Sequence, residues 1–345
     1  MNDRLMPVAI FGDRSCGKTV FLSLLYESQV RYANAVSNKG IGEFKFTTEP
    51  QFARVMGDIR NDLMQGNWAD STLKGTLSKY SFKYGFRKAI PGGTKPSDKF
   101  QILDFTVYDI AGEDLDILRS LDAFSKTAQS GEKITEFDFG LVSESFKRLL
   151  DCNVFVFLLD LSRLNAKPRT DKHREMKGYD IFMATLISAI SKYKSIKFKK
   201  DEEKSKIYPV FVMTKFDVLD KKILENLKIP NTYKDLGSGG WLSHSKISRK
   251  DYCDTIMRSF YQDTMALAKG GALRNVSFDK AGFFFSQVST ELNQDGEEIP
   301  KMINVSGVPM LAYSDSEYQD FIDYFRSIVK KMADGELDAQ EFRRD

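Results

Sequence analysis

Near the start of the chain, Gly12-Asp13-Arg14-Ser15-Cys16-Gly17-Lys18-Thr19 has the spacing G-x-x-x-x-G-K-T. The two glycines let the backbone close round a phosphate, where a Cβ would intrude. The N–H groups of the loop and the start of a following helix then point at the anion. The Lys18 ammonium reaches the β- and γ-phosphates of a nucleoside triphosphate, and the Thr19 hydroxyl is a ligand for Mg²⁺. Asp13, Ser15, Cys16 and Val20 belong to the same binding loop, and at Ser15 and Cys16 the backbone matters more than the side chain. A second group is Asp109-Ile110-Ala111-Gly112-Glu113. A carboxylate there holds Mg²⁺ through water, and the glycine N–H engages only a third phosphate, which makes the loop a sensor. A third group is Thr214-Lys215-Phe216-Asp217. The Asp217 carboxylate can accept from guanine N1–H and its exocyclic amine, a donor pair that adenine lacks. The Lys215 stem packs on the purine face.

Each group must sit at the end of a strand. Val8–Phe11 is short, apolar and ended by Gly12, as a buried strand is. Lys18–Ala33 then reads as a helix with Phe21, Leu24 and Leu25 inward, and Asn34–Gly42 as a loop. Glu49–Met64 follows the helical period through Phe52, Val55, Met56, Ile59 and Leu63, and Gly66 ends it. Thr76–Arg87 and Phe100–Asp109 read as a strand pair, antiparallel if they form a hairpin. Helices are expected at Glu113–Gln129 and Leu141–Leu150. Asn153–Leu161 and Ile207–Met213 are continuous apolar runs of the kind covered on both faces. Asn165–Lys177 reads as a charged loop, Tyr179–Tyr193 as a helix, and Lys194–Lys206 as a charge-dense connection. Lys221–Leu227 and Lys246–Ala268 read as helices, Val276–Phe278 and Gly282–Val288 as strands, and Glu317–Met332 as a closing helix. This alternation gives an α/β fold, a mostly parallel sheet with one antiparallel strand and helices on both faces.

Composition excludes several classes. The chain has 345 residues, 42% of them apolar, with 27 phenylalanines, which argues against a disordered or fibrous chain. A net charge of +3 with interspersed signs does not point to nucleic acid. Cys16, Cys152 and Cys253 form no disulfide framework, and a reducing cytoplasmic setting is expected. No secretory or lipidation signal is read at either end, and no apolar run is long enough for an integral membrane segment. His173 and His244 lack partners at metal spacing. Lys192–Lys206 carries seven lysines against Asp201, Glu202 and Glu203. It reads as a solvated helix end and linker, with an anionic-lipid patch as the other reading.

With these motifs in this order, the chain resembles the P-loop GTPases of the Ras-like and translation-factor-like group, over roughly Pro7 to Val288. The helix before Trp68 and the segment Asn67-Trp68-Ala69-Asp70-Ser71-Thr72 are similar to bacterial double-GTPase proteins. The resemblance implies a three-layer P-loop NTPase fold with a six-stranded sheet, here one domain over 1–345 with insertions at about 34–75 and 219–271. It implies GTP or GDP with Mg²⁺ as cofactors and hydrolysis of GTP as the reaction. By family pattern Gly12, Gly17, Lys18 and Thr19 hold phosphate and metal, Asp109 and Gly112 form the second switch, and Thr214, Lys215 and Asp217 hold guanine. Ser286-Gln287-Val288 stands where the last base-contact loop belongs. The first-switch threonine is Thr72 or Thr76, with Thr47 and Thr48 as further candidates; Thr72 is favoured.

Two departures bear on catalysis. Glu113 replaces the water-orienting Gln and predicts slow turnover, while Arg14 either supplies charge in cis or obstructs a partner's arginine. These departures keep a non-hydrolysing, nucleotide-dependent interaction module as the alternative, and an ATPase of the P-loop class is a second. Regulatory or effector proteins are expected at the switches and at the 219–271 insertion.

Overall fold

The computed structural model describes residues 4–13, 15–39, 42–69, 77–88, 101–110, 149–166, 170–228, 249–269, 273–305 and 307–334. Seven strands form the main sheet: β1 (Arg4–Gly12), β2 (Gly42–Thr48), β3 (Leu77–Lys88), β4 (Gln101–Ile110), β5 (Val154–Asp160), β6 (Tyr208–Thr214) and β7 (Gly282–Ser286). Their order is β2-β3-β4-β1-β5-β6-β7. β4, β1, β5, β6 and β7 are mutually parallel, and β3 runs against both of its neighbours. The α/β class and the single reversed strand agree with the sequence reading. The sheet has one strand more than expected. Gly42–Thr48 pairs along the outer edge of β3, and the Thr48 hydroxyl donates to Ser81 O at 2.7 Å. Two strands separate β2 from β1, so Thr47 and Thr48 lie in the sheet edge and not beside the phosphate loop.

The parallel strands are apolar throughout because each face has its own core. Val8 and Ile10 of β1, Val154, Val156 and Leu158 of β5, and Val210 and Val212 of β6 pack on one side. There they meet α1 (Lys18–Lys39), α2 (Pro50–Met64) and the closing helix α7 (Asp315–Asp334), whose Phe321, Phe325 and Ile328 are buried. The alternate residues face α3 (Asp171–Lys197), α5 (Arg249–Phe260) and α6 (Gln262–Lys269). On that second face Phe11, Phe157, Phe211 and Phe283 are register partners in successive strands, and their rings stack 5.7, 5.8 and 5.7 Å apart. Offset stacking of this kind adds about 0.5–1.5 kcal/mol per pair beyond the area it buries.

Several boundaries differ from the periodicity. α1 continues through the expected loop to Lys39. α3 starts at Asp171, inside the expected charged loop, because the Thr170 hydroxyl accepts from His173 N at its N-terminus. It ends at Lys197, and a single helical turn, Glu202–Ser205, follows. The helix expected over Lys246–Ala268 is two helices broken at Tyr261. There the buried Asp180 carboxylate accepts Asp263 N at 2.9 Å, Thr264 N at 3.0 Å and the Thr264 hydroxyl at 2.7 Å, capping α6 anew. α4 (Lys221–Asn226) and α2 match their expected spans to within a residue. Gly66 ends α2 with φ +86°. Val276 forms only a bridge to Ile207, followed by a 3-10 turn at Phe278–Lys280. Two hairpins unread in the sequence lie between β7 and α7: β8 (Thr290–Leu292) with β9 (Glu298–Pro300), and β10 (Met302–Val305) with β11 (Val308–Leu311). The helices expected at Glu113–Gln129 and, apart from Leu149 and Leu150, at Leu141–Leu150 lie outside the described residues.

Candidate functional site

The ends of β1, β4, β5, β6 and β7 meet at one edge of the sheet, where ligands of open α/β sheets bind. β1 delivers the glycine loop. A Cβ on Gly12 would stand 2.4 Å from Cys16 Sγ and 3.2 Å from Leu158 Cβ, so only glycine fits there. Ser15 and Gly17 are left-handed, at φ 60° and 92°, which turns successive N–H groups towards the inside of the loop. Cys16 N donates to Asp13 O at 3.2 Å, and α1 starts directly afterwards with Phe21 N donating to Gly17 O at 2.8 Å. The Lys18 ammonium arches over the loop and donates to Gly12 O at 2.7 Å. Cys16 is buried, and burial pushes its thiol up to about 11, so it stays a packing residue and not a nucleophile.

The strand register places the second and third groups beside this loop. Asp109 pairs with Ile10, two residues before Gly12, so its backbone lies at the strand end adjoining the loop. At the end of β6 the Thr214 hydroxyl is buried and bridges Cys16 O at 2.8 Å and Leu159 O at 3.3 Å. Lys215 takes a left-handed conformation at φ 52°, which carries its ammonium back across the sheet. It donates to Ser15 O at 2.8 Å and to Asp160 Oδ2 at 2.7 Å. The third motif is therefore bolted to the first by two side chains. β7 closes the row: Lys215 N donates to Ser286 O at 3.1 Å, and the buried Ser286 hydroxyl shares a hydrogen bond with Tyr318 of α7. Gln287 and Val288 follow, and Gln287 Oε1 is buried without a partner among the described residues.

Two residues of this site escaped the sequence reading. Asp160 closes β5, accepts Ser162 N at 3.0 Å and receives Lys215. Arg163, in the 3-10 turn Leu161–Asn165, reaches Asp13 Oδ2 at 2.5 Å, Glu175 at 3.5 Å and Asp160 at 3.9 Å. Burial is the largest influence and would lower the Arg163 pKa, but the carboxylates of Asp13, Asp160 and Glu175 together hold the guanidinium above its ordinary value. The available signal was position: an acid ending a buried strand, with Ser162 two residues on as in an Asx turn. A small cavity of about 10 Å³ lies behind the loop among Asp13, Cys16, Asp160, Arg163, Tyr179 and Tyr261. That is the room of one water, and the buried Tyr179 hydroxyl has no partner among the described residues.

Of the expected site residues, Gly12, Asp13, Ser15, Cys16, Gly17, Lys18, Thr19 and Val20 form the loop and first helical turn, with Thr214, Lys215 and Ser286 docked beside them. Arg14, Thr72, Thr76, Gly112 and Glu113 lie outside the described residues, as do the side chains of Asp109 and Asp217, whose backbones end β4 and enter the 3-10 turn Phe216–Val218. Among the described residues no cluster of His, Cys, Asp and Glu forms a metal site of its own. No described helix is long and apolar enough to cross a membrane.

The strand order, the glycine loop and the flanking helices are those of a P-loop NTPase fold. No family model and no curated protein matches the chain. Among solved structures it is similar to the signal recognition particle receptor SRb-GTP/SRX complex from Chaetomium thermophilum, at 11% identity and a TM-score of 0.34, covering 83% of this chain and 92% of that one. It is also similar to the S. cerevisiae Ski7 GTPase-like domain bound to GTP, at 11% identity and a TM-score of 0.32, covering 98% of this chain and 52% of that one.

Proposed function

We propose that the chain binds GTP with Mg²⁺, hydrolyses it to GDP and phosphate, and acts as a nucleotide-dependent switch. The observation that carries this reading is the double attachment of Thr214 and Lys215 to the carbonyls of Cys16 and Ser15. That attachment fixes the distance between the phosphate loop and the turn after β6 that carries Asp217. A site that reads guanine with a carboxylate at Asp217 needs such a fixed distance, because two hydrogen bonds to the base edge fail on a small displacement.

The loop N–H groups and Lys18 would bind the phosphates, and Lys18 would exchange its bond to Gly12 O for one to a phosphate oxygen. Thr19 in the first turn of α1 and Asp109 at the end of β4 are hard oxygen donors, the donor chemistry that Mg²⁺ takes, with the first-switch Thr72 proposed as a further ligand. Bound Mg²⁺ would neutralise charge on the phosphates. Glu113 stands in for an amide that would orient water, so hydrolysis is slow. The switches and the 219–271 insertion are the proposed surfaces for regulatory or effector proteins.

Competition of GTP against ATP for the purified chain tests base selectivity, and Asp217→Asn is expected to move preference to xanthosine nucleotides. Equal binding of ATP, or no shift in that variant, removes the guanine reading. Single-turnover hydrolysis then separates a slow GTPase from a module that holds GTP unchanged.

A further inference from the structure

The far end of the sheet carries a group of exposed cations. α3 is 27 residues long, which is about 40 Å at 1.5 Å per residue. Its C-terminus therefore lies at the start of β6, the end of the sheet opposite the phosphate loop. Asn153, which precedes β5, donates to Lys206 O at 2.7 Å and fixes the strand starts to the segment after α3.

Some cations of this segment are occupied by the fold. Lys194 is fully buried and donates to Cys152 O at 2.9 Å, Lys197 pairs with Asp151 at 2.6 Å, and Lys204 pairs with Asp201 at 3.1 Å. Lys192, Lys199 and Lys200 are exposed, and no ion pair among the described residues uses them. Arg274 joins them: its neighbour Asn275 donates to Ser191 O at 3.1 Å and Ser205 O at 3.0 Å, which brings the exposed Arg274 to the same end. Between these cations stands Ile196, 68% exposed and one helical turn after Lys192 on the same face.

We propose that this end of the molecule docks on an anionic lipid bilayer, with Ile196 entering beneath the headgroups and Lys192, Lys199, Lys200 and Arg274 meeting their charge. Set against Glu202 and Glu203 in the same segment, Lys192, Lys199, Lys200 and Arg274 leave an excess of positive charge, and that selects an anionic partner. The apolar residue selects the bilayer over other polyanions: Ile196 protrudes singly from a convex helix end, whereas a protein partner needs a matching pocket. Lysine stems beside it can lie along acyl chains while their ammonium groups stay at the headgroups. With a net charge of only +3 on the whole chain, long-range attraction to nucleic acid is weak, while a local patch suffices at a charged membrane. Docked in this way, the molecule presents the phosphate-loop end away from the membrane. The inference stands independently of which nucleotide that end takes.

The test is co-sedimentation of the full chain with vesicles of phosphatidylcholine alone and vesicles also containing phosphatidylserine. Binding is expected only to the latter and is expected to fall with added salt. A cation near such a surface contributes about 1 kcal/mol, roughly five-fold in partitioning. Lys192→Glu, Lys199→Glu and Lys200→Glu together are therefore expected to weaken binding by about a hundred-fold or more. In a second variant, Ile196→Trp, indole emission is expected to shift to the blue on phosphatidylserine vesicles beyond any change in the native chain, whose Trp68 and Trp241 set the baseline. The proposal is overturned if the two vesicle types bind alike, if neither binds, or if the charge-reversed chain binds undiminished. It is equally overturned if Trp at position 196 shows no shift, or if the patch captures heparin or an acidic peptide while ignoring vesicles.

Discussion

Replacing Arg163 with methionine removes the guanidinium that holds Asp13 while keeping most of its apolar stem. In the native chain this bond joins the second residue of the phosphate loop to the turn after β5, with the side chains only 14% and 19% exposed. Removing one partner of a fully buried pair costs about 3–5 kcal/mol, and an exposed pair is worth about 0–1. At this degree of burial about 2 kcal/mol is expected. Urea denaturation should register it as a midpoint lowered by about 0.7–1 M, given a slope of about 2–3 kcal/mol per M.

A second effect acts on the ligand. Without Arg163, the carboxylates of Asp13, Asp160 and Glu175 face a triphosphate with one cation fewer. At an effective dielectric of about 20, an uncompensated charge near a polyanion costs on the order of 1–2 kcal/mol, so nucleotide affinity should fall about ten-fold. Adding Asp13→Asn should restore the affinity, because the charge is gone, without restoring the full stability, because the hydrogen bond is still missing. Fluorescent-nucleotide titration of the four proteins in this cycle separates the terms. If Arg163→Met unfolds at the native midpoint and binds nucleotide as tightly as the native chain, the pair neither holds the loop nor shields it, and this account of the site fails.

Thr214→Val keeps the shape but leaves Cys16 O and Leu159 O without the hydroxyl they share. A loss of about 1–3 kcal/mol in thermal unfolding and faster nucleotide release are expected; native release kinetics would mean that the bond does not position the loop. Lys194 supplies a pH dependence. Burial lowers its pKa from 10.5 to about 8, so between those values the unfolded chain binds more protons than the folded one. Stability should therefore rise with pH through that window, by at most about 3 kcal/mol, and its contribution should be smallest below pH 8. Lys194→Met should abolish this rise in urea midpoints measured at successive pH values, and an identical rise in the variant would assign it to other groups.

The legible part of this chain was the part whose signals are local. The glycine loop, the two runs Val154–Leu159 and Tyr208–Met213, and the turn residues after them announce both the elements and their place at strand ends. β2 was missed although Glu43-Phe44-Lys45-Phe46 alternates polar and apolar as an edge strand does: the run is short, and only its pairing with β3 defines it. The first two turns of α3 read as loop because Met176 is their sole buried residue. The break at Tyr261 depends on Asp180, more than eighty positions earlier, which no window of sequence contains. The same distance hid Asp160 and Arg163: each is an ordinary charged residue until folding sets it against Lys215 or Asp13.

The phenylalanine row from Phe11 to Phe283 works as a datum line. Rings stacked between register partners penalise any axial slip of β1, β5, β6 or β7 against its neighbour, since a one-residue slip would turn every ring to the opposite face. The strand ends are thereby levelled before any loop is built on them. Loops of very different length, such as the few residues after β1 and the long excursion after β6, can then be rewritten independently while the ends of these four strands keep their spacing. Levelled in this way, the glycine loop after β1 and the turn after β6 stand at matching heights whatever the length of chain between them.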